Sequence, residues 1–373
     1  MSTMTRLART LLLPALAGAL LSACESAPRT QEDRFRSGIT DLETDPYYQS
    51  GLRLVWRAYP EQGRNESPLY FDIVEGDAAF QDTGNTLSFI EGPTGRVRWP
   101  ASLGRPLEKF VGATRLAAAL IVASESEEQL LDVETGQLLD RQRLSVLANT
   151  SPVLVPPQII VGSSTGEIYA HDLRVGVRTW SVKLNGPINS PVIKLGGRDI
   201  GAVSEGGELI MLDTRSGASG GRRAMLFDGV ENQPITDGSQ MYVAGLDQSV
   251  WAYDIDSGSR VWRHRTQSPM SSDPVVGGGV VVVHAKREGL LGLNAQNGER
   301  LWAQPDAMGD GVYTTDTAVT LWDGTTLSVV SLRDGAIRTQ YELPGIKWVR
   351  ADDDGIVYTV AHDGVVSKYE PLR

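Results

Sequence analysis

Three groups of residues are of a type that could support chemistry, and their spacing decides whether they do. Gly162-Ser-Ser164-Thr-Gly166 matches the string of a hydrolase nucleophile elbow, but that elbow needs a strand running into a helix. Asp352-Asp353-Asp354-Gly355 begins like a calcium loop, yet no glutamate follows at the required spacing. We therefore predict a hairpin turn at the first and a solvated turn at the second. The third group has no metal-ligand spacing and consists of His171, His264, His284 and His362.

The single cysteine, Cys24, ends a targeting segment. Two arginines precede an apolar run over residues 11–21, which is too short to span a bilayer comfortably. The run ends in Leu21-Ser22-Ala23-Cys24, which resembles the lipobox of bacterial lipoproteins. That resemblance implies cleavage before Cys24 and acylation of its thiol and new amino group, with an ordinary signal peptide as the alternative. Residues 1–23 are thus predicted to be a lipoprotein signal peptide, and Glu25 favours sorting to the outer membrane.

Composition limits the remaining possibilities. The chain has 373 residues, of which 41% are apolar and 22% charged, so it can bury a large core. A net charge of −11 argues against a nucleic-acid partner, and one cysteine excludes disulfides within the chain. Residues 24–50 are polar without a sustained period and are predicted to be a lipidated flexible tether, although Tyr47 and Tyr48 could instead dock on the folded body.

A repeat of about forty residues fills residues 51–373. Each copy has an apolar alternating run, an acidic or polar residue and, four positions later, a glycine. The glycines are Gly95, Gly136, Gly176, Gly217, Gly258, Gly298 and Gly335. In four copies a tryptophan stands four residues after the glycine, namely Trp99, Trp180, Trp262 and Trp302. The acidic residue can form an Asx-turn and the glycine can supply a positive φ, so the pair predicts a tight hairpin.

One repeat therefore predicts four short antiparallel strands, and such units close into a β-propeller. The tryptophan on the outermost strand is expected to pack against the neighbouring blade, and Trp56 is assigned the same role. The last repeat stops at Arg373 without a fourth strand, whereas Leu52-Arg-Leu-Val-Trp56 resembles an orphan fourth strand. We therefore predict an all-β, eight-bladed propeller of four-stranded antiparallel blades, whose last blade is closed by the N-terminal strand.

The Asp-x-x-Thr/Ser-Gly-x-x-x-Trp repeats resemble those of the PQQ-like, quinoprotein-type propellers. With the lipobox and the chain length, the whole sequence is similar to the BamB family of outer-membrane assembly lipoproteins. That resemblance implies a non-catalytic scaffold of the β-barrel assembly machinery, lipid-anchored to the outer membrane and facing the periplasm. Its expected partners are the periplasmic domains of the barrel-forming subunit, and nascent outer-membrane proteins as a weaker expectation.

In that family two neighbouring loops hold the partner site. The resemblance places one in residues 226–234, where Asp228 and Glu231 are the counterparts of its paired acids. The other corresponds to residues 184–191, which lack the family's arginine. No cofactor or metal is expected. Two alternatives remain: a lipid-anchored propeller that binds another envelope protein or ligand, and a PQQ-dependent dehydrogenase, against which the single cysteine argues.

Overall fold

Eight four-stranded antiparallel sheets follow one another around a ring in the computed structural model, which describes residues 46–49, 51–104, 109–270, 272–352 and 354–371. The predicted eight-bladed propeller is confirmed. Within each blade the strands are ordered A to D from the inside outwards. The predicted signal peptide, Cys24 and the tether up to residue 45 lie outside the described residues.

Blades 1 to 4 use sixteen consecutive strands. Blade 1 contains β2 (Pro68–Val74), β3 (Asp77–Asp82), β4 (Thr86–Ile90) and β5 (Val97–Ser102). Blade 2 contains β6 (Phe110–Leu116), β7 (Ala119–Ser124), β8 (Glu127–Asp132) and β9 (Leu138–Arg143). Blade 3 contains β10 (Val153–Val155), β11 (Gln158–Gly162), β12 (Glu167–Asp172) and β13 (Val177–Lys183). Blade 4 contains β14 (Ile193–Gly196), β15 (Asp199–Val203), β16 (Glu208–Asp213) and β17 (Arg223–Met225).

Blades 5 to 8 repeat the order, except that the last blade borrows a strand from the chain's other end. Blade 5 contains β18 (Ile235–Thr236), β19 (Gln240–Gly245), β20 (Ser249–Asp254) and β21 (Arg260–Arg265). Blade 6 contains β22 (Val275–Gly277), β23 (Val280–Ala285), β24 (Gly289–Asn294) and β25 (Arg300–Gln304). Blade 7 contains β26 (Asp310–Thr314), β27 (Ala318–Trp322), β28 (Thr326–Ser331) and β29 (Ile337–Glu342). Blade 8 contains β30 (Ile346–Ala351), β31 (Val357–Ala361), β32 (Val366–Pro371) and β1 (Leu52–Ala58).

The N-terminal strand closes the ring as the sequence predicts. Strand β1 pairs antiparallel with β32 from Leu52 opposite Pro371 to Ala58 opposite Val366. The backbone groups on one edge of β32 are thereby hydrogen-bonded to β1, which removes an open edge inside blade 8.

The C–D turns of blades 1 to 7 have the geometry that their sequence indicates, with a positive φ at each turn glycine. In blade 2 the Asp132 carboxylate accepts hydrogen bonds from the N–H groups of Glu134 (3.2 Å) and Thr135 (2.8 Å). A further bond from the Thr135 hydroxyl is the main cause that lowers the pKa of Asp132. Gly136 has φ +70°, a conformation that a side chain disfavours, and its N–H donates to the Asp132 carbonyl.

The core consists of the seams between blades. Seven of the eight seams each hold one cluster of eight to twelve buried apolar residues. In such a ring each blade is stabilised mainly by its two neighbours, because both faces of its sheet are buried against them.

A short helix, α1 (Pro46–Gln49), precedes the propeller. Tyr47 is buried and stacks on Tyr369, with ring centroids 4.1 Å apart. The end of the segment assigned to the tether therefore packs on blade 8, which is the alternative that the sequence left open for Tyr47. No helix in the described part of the chain is long and apolar enough to span a bilayer.

Candidate partner-binding surface

Three connections of blades 3 to 5 lie side by side at one end of the strands. They are the loop over residues 184–192, the turn over residues 204–207 and the loop over residues 226–234. Backbone hydrogen bonds join them: the N–H of Glu205 donates to the Pro187 carbonyl (2.8 Å) and the N–H of Leu226 to the Gly207 carbonyl (2.8 Å). We call these three segments the three-loop surface. Because they brace one another, its shape is set before any partner arrives.

Close backbone approach fixes the position of the loop over residues 226–234. Gly229 has φ +84°, and a Cβ placed on it would lie 2.1 Å from the Glu205 carbonyl oxygen. Leu226 and Val230, on either side, are buried in the seam between blades 4 and 5. The loop is thus anchored by two apolar side chains, and the glycine lets it approach the neighbouring turn.

The predicted site residues Asp228 and Glu231 both lie exposed on this loop. Asp228 adopts φ +57°, an uncommon conformation for a residue other than glycine. A third carboxylate, Glu205, was missed by the sequence reasoning. Glu205 is exposed on the turn over residues 204–207, and its carboxylate accepts a hydrogen bond from the Asn189 amide (3.0 Å). The surface therefore presents three carboxylates from two neighbouring connections.

An exposed aromatic side chain, also missed from the sequence, lies beside these acids. Phe227 is 73% exposed, the largest value among the large apolar side chains that the structure describes. Beneath the surface, the Glu208 carboxylate bonds to Arg223 (3.0 Å) and to the backbone N–H of Asn185 (2.7 Å). An exposed ring among acids suits protein recognition, since aromatic residues dominate the energetics of interfaces.

The five predicted blade-docking tryptophans occupy equivalent places in five seams. Each indole packs over the C–D turn glycine of the next blade and donates its N–H to a backbone carbonyl of that turn. The donor–acceptor pairs are Trp56 with Gly92 (2.7 Å), Trp99 with Val133 (2.9 Å), Trp180 with Thr214 (2.8 Å), Trp262 with Ala295 (2.8 Å) and Trp302 with Leu332 (2.7 Å).

The two short motifs with possible chemistry fall in turns, whereas His171, His264 and His284 lie on strands of three different blades. Ser163 and Ser164 lie in the hairpin between β11 and β12, where the Ser163 hydroxyl accepts the N–H of Glu167 (2.8 Å). Asp352 and Asp354 lie in the turn between β30 and β31, and Asp353 lies outside the described residues. Among the described residues no three His, Cys, Asp or Glu side chains are grouped to hold a metal ion.

Comparison with known proteins gives a consistent result. A family model described as outer membrane protein assembly factor BamB matches residues 83–225 and 205–370. The BamB of Yersinia pestis is 22% identical over 378 aligned residues, which cover 94% of this chain and 91% of that protein. The BamB of Bordetella pertussis is 44% identical over 68 residues, 18% of this chain and only 17% of that relative.

A solved structure supports the fold alone. The crystal structure of BamB from Moraxella catarrhalis matches with a TM-score of 0.68 and 17% identity, covering 86% of this chain and 99% of that one. The family model spans most of the propeller, whereas the structural likeness does not by itself carry function. The chain belongs to the family of the outer membrane protein assembly factor BamB.

Proposed function

We propose that this chain is a non-catalytic, lipid-anchored scaffold of the outer-membrane β-barrel assembly machinery. Its three-loop surface docks on the periplasmic domains of the barrel-forming subunit. Membership of the BamB family supports a role in outer-membrane protein assembly. The observation that carries the choice of surface is the braced loop layer that holds Glu205, Asp228 and Glu231 exposed around Phe227.

The electrostatics of the surface define the partner it suits. Three exposed carboxylates favour a basic partner surface, because opposite charges speed association and disfavour partners of like charge. The exposed Phe227 ring adds an apolar anchor for a pocket on that partner. The rigid layer lowers the ordering cost of binding, which leaves more of the contact energy as affinity.

Charge reversal tests the surface directly. The variant Asp228→Lys/Glu231→Lys is expected to lose most pull-down of the barrel-forming subunit while its thermal unfolding stays close to the parent's, because both side chains are exposed. The matched control is Asp256→Lys/Glu299→Lys, two exposed acids at the opposite end of blades 5 and 6. Equal pull-down by all three proteins would remove Asp228 and Glu231 from the site.

The anchor has a separate test at Cys24. Wild-type cells labelled with a palmitate analogue are expected to give a labelled chain in the outer-membrane fraction, because several acyl chains anchor a protein firmly. The variant Cys24→Ser is expected to be unlabelled. Labelling that persists in Cys24→Ser would refute lipidation at this residue.

Crosslinking in native membranes followed by mass spectrometry separates the alternatives. A partner set that includes the barrel-forming subunit supports the proposal, whereas a set without the barrel-assembly core favours a propeller that binds another envelope protein. Added PQQ and calcium address the dehydrogenase alternative, since bound quinone absorbance or dye reduction would indicate an enzyme.

A further inference from the structure

The seam between blades 2 and 3 is built differently from the others. The donor that faces the C–D turn of blade 3 is Gln142 of β9, whose amide donates to the Leu173 carbonyl (2.8 Å). This carbonyl is the counterpart of Val133, which accepts the Trp99 indole one seam earlier. Gln142 thus supplies the hydrogen bond of the tryptophan but lacks the apolar ring, so this seam loses a large buried surface.

Apolar packing in this seam is divided. Its buried apolar residues form two separate clusters of three: Ile121, Ile159 and Leu173 in one, and Ala148, Val161 and Tyr169 in the other. Every other seam has a single cluster of at least eight. Because apolar burial is the main favourable contribution to blade–blade association, this seam is expected to be the weakest of the eight.

An unpartnered carboxyl group is buried in the same seam. Glu128 on β8 is fully buried, and neither of its carboxyl oxygens has a hydrogen-bond partner in the described part of the chain. It lies opposite Gln142 in the β8–β9 pairing, on the face that blade 3 covers. A buried carboxylate without a partner is costly, so the group is held as the neutral acid, and burial raises the pKa of Glu128 to about 8.

Most polar groups around Glu128 are committed to other partners; the exception is Nδ1 of His171, which is buried without a hydrogen-bond partner in the described part of the chain. On β9, the Gln142 amide nitrogen donates to Asp140 and Leu173, and its oxygen bonds to Nε2 of His171 (2.9 Å). On β12, the Tyr169 hydroxyl donates to the Val146 carbonyl (2.8 Å). On β7, the residue paired with Glu128 is Ala123, which offers no side-chain donor.

Titration of the neighbours sets the pH range in which Glu128 acts alone. Burial in the closed seam lowers the pKa of His171, and the charge of Asp172 partly offsets this effect. Protonation of His171 therefore favours the open seam, but only at acid pH. The pKa of Tyr169 is raised far above neutrality by burial and by Glu128 and Glu167, with Arg178 opposing. Between about pH 6.5 and 8, Glu128 is therefore the titrating group in this cluster.

We propose that the seam between blades 2 and 3 is a protonation-dependent joint of the ring, closed while Glu128 is neutral and progressively opened as the pH rises. In the open seam water reaches the carboxyl group, which then ionises near the ordinary glutamate pKa of about 4.3. The closed seam binds a proton that the open seam releases. The opening equilibrium constant consequently rises about tenfold for each pH unit between the two pKa values.

Hydrogen exchange of the purified full-length chain, at pH 6.5 and pH 7.5, measures this opening after correction for the intrinsic exchange rate. Amide protection in β8, β9 and β12 is expected to fall about tenfold between the two pH values. The corresponding strands β24 and β25 of blade 6 serve as an internal reference and are expected to keep their protection.

Two variants at Glu128 and one at its neighbour make the test specific. Glu128→Gln keeps the shape without the charge and Glu128→Met replaces it with an apolar side chain, so both are expected to abolish the pH effect. Glu127→Gln, one residue away and paired with Arg141, is expected to retain it. An equal fall of protection in Glu128→Gln, or no fall in the wild type, overturns the proposal; the wild type decides even where a variant fails to fold.

Discussion

Replacing Trp56 with alanine tests whether ring closure depends on the same contact as the other seams. Trp56 lies on β1, is 3% exposed and donates its indole N–H to the Gly92 carbonyl (2.7 Å). Its ring packs over Gly95 and meets the edge of Tyr358, with centroids 5.9 Å apart. Removal of such a buried aromatic side chain costs about 3–5 kcal/mol, of which the hydrogen bond accounts for about 1 kcal/mol.

The expected result is a loss of about 3–5 kcal/mol in the free energy of unfolding, measured by urea denaturation. Trp180→Ala is the comparison, because Trp180 makes the equivalent contact between blades 3 and 4, where the chain is continuous. Arg53→Ala on β1 is the control: its exposed ion pair with Glu370 contributes less than about 1 kcal/mol.

Limited proteolysis distinguishes closure from general stability. Trp56→Ala is expected to release the N-terminal strand early, whereas Trp180→Ala leaves that strand protected, because only the first variant weakens the packing of β1. If Trp56→Ala costs less than about 1 kcal/mol while Trp180→Ala costs the full amount, the closing strand does not contribute to the ring as we argue.

Three further predictions concern the surface and the joint. Phe227→Ala is expected to weaken binding of the barrel-forming subunit about tenfold or more without changing the melting temperature, as measured by titration calorimetry and thermal unfolding. Gly229→Ala is expected to displace its loop and reduce the same binding, since the new Cβ would lie 2.1 Å from the Glu205 carbonyl oxygen; unchanged binding would contradict a rigid loop layer. Glu128→Gln is expected to unfold at higher urea than the wild type at pH 7.5, because the folded wild type holds a proton that its unfolded chain releases. That advantage should grow by about 1.4 kcal/mol per pH unit from pH 5 to pH 8 and vanish at acid pH, where both states are protonated.

The ring could be predicted because its signals are local and repeat in phase. Each C–D turn is marked by an acidic or polar residue with a glycine four residues later, and the closing strand is marked by a tryptophan in the same phase. Trp56 could therefore be paired with the end of the chain, even though more than 300 residues separate it from Lys368, its partner in the ladder. No long-range information is needed for such a prediction.

The candidate surface was only half predictable. Asp228 and Glu231 follow from the resemblance of one loop, whereas Glu205 belongs to a different hairpin, and the sequence does not say which turns meet in space. Phe227 could have been noticed as an aromatic residue in a loop rich in polar residues, which is a weak signal by itself. Exposure, which distinguishes it from the buried Leu226 beside it, is a property of the fold.

Glu128 shows why a polar residue in a strand is hard to interpret. Glu127 and Glu128 are adjacent acids, but the pleat gives them opposite faces, and only Glu128 is on the face that blade 3 covers. Gln142 gives no signal either, because Asp140 stands at the position where the repeat has its tryptophan. The β8–β9 pairing has the same bulge as the blades that carry the tryptophan, so Asp140 keeps the tryptophan's place in the ladder and the donor Gln142 lies two residues further along the same face.

The substitutions for tryptophan reveal which part of the seam contact is indispensable. In every seam whose following blade has a C–D turn, a buried or largely buried donor reaches the turn's carbonyl: five times an indole, once Gln142 and once Arg222, whose guanidinium donates to the Ile255 carbonyl (3.1 Å). Arg222 is in turn neutralised by both carboxylate oxygens of Asp199 (2.8 and 3.0 Å). The hydrogen bond is thus kept wherever the aromatic ring is absent, because a buried carbonyl without a donor is costly.

The two seams without a tryptophan differ in what replaces the lost packing. The seam with Arg222 retains a full apolar cluster and a paired charge, whereas the seam with Gln142 leaves Glu128 unpaired. It follows that the absence of the ring alone does not make a joint, and that the unpaired acid is what ties the seam between blades 2 and 3 to pH.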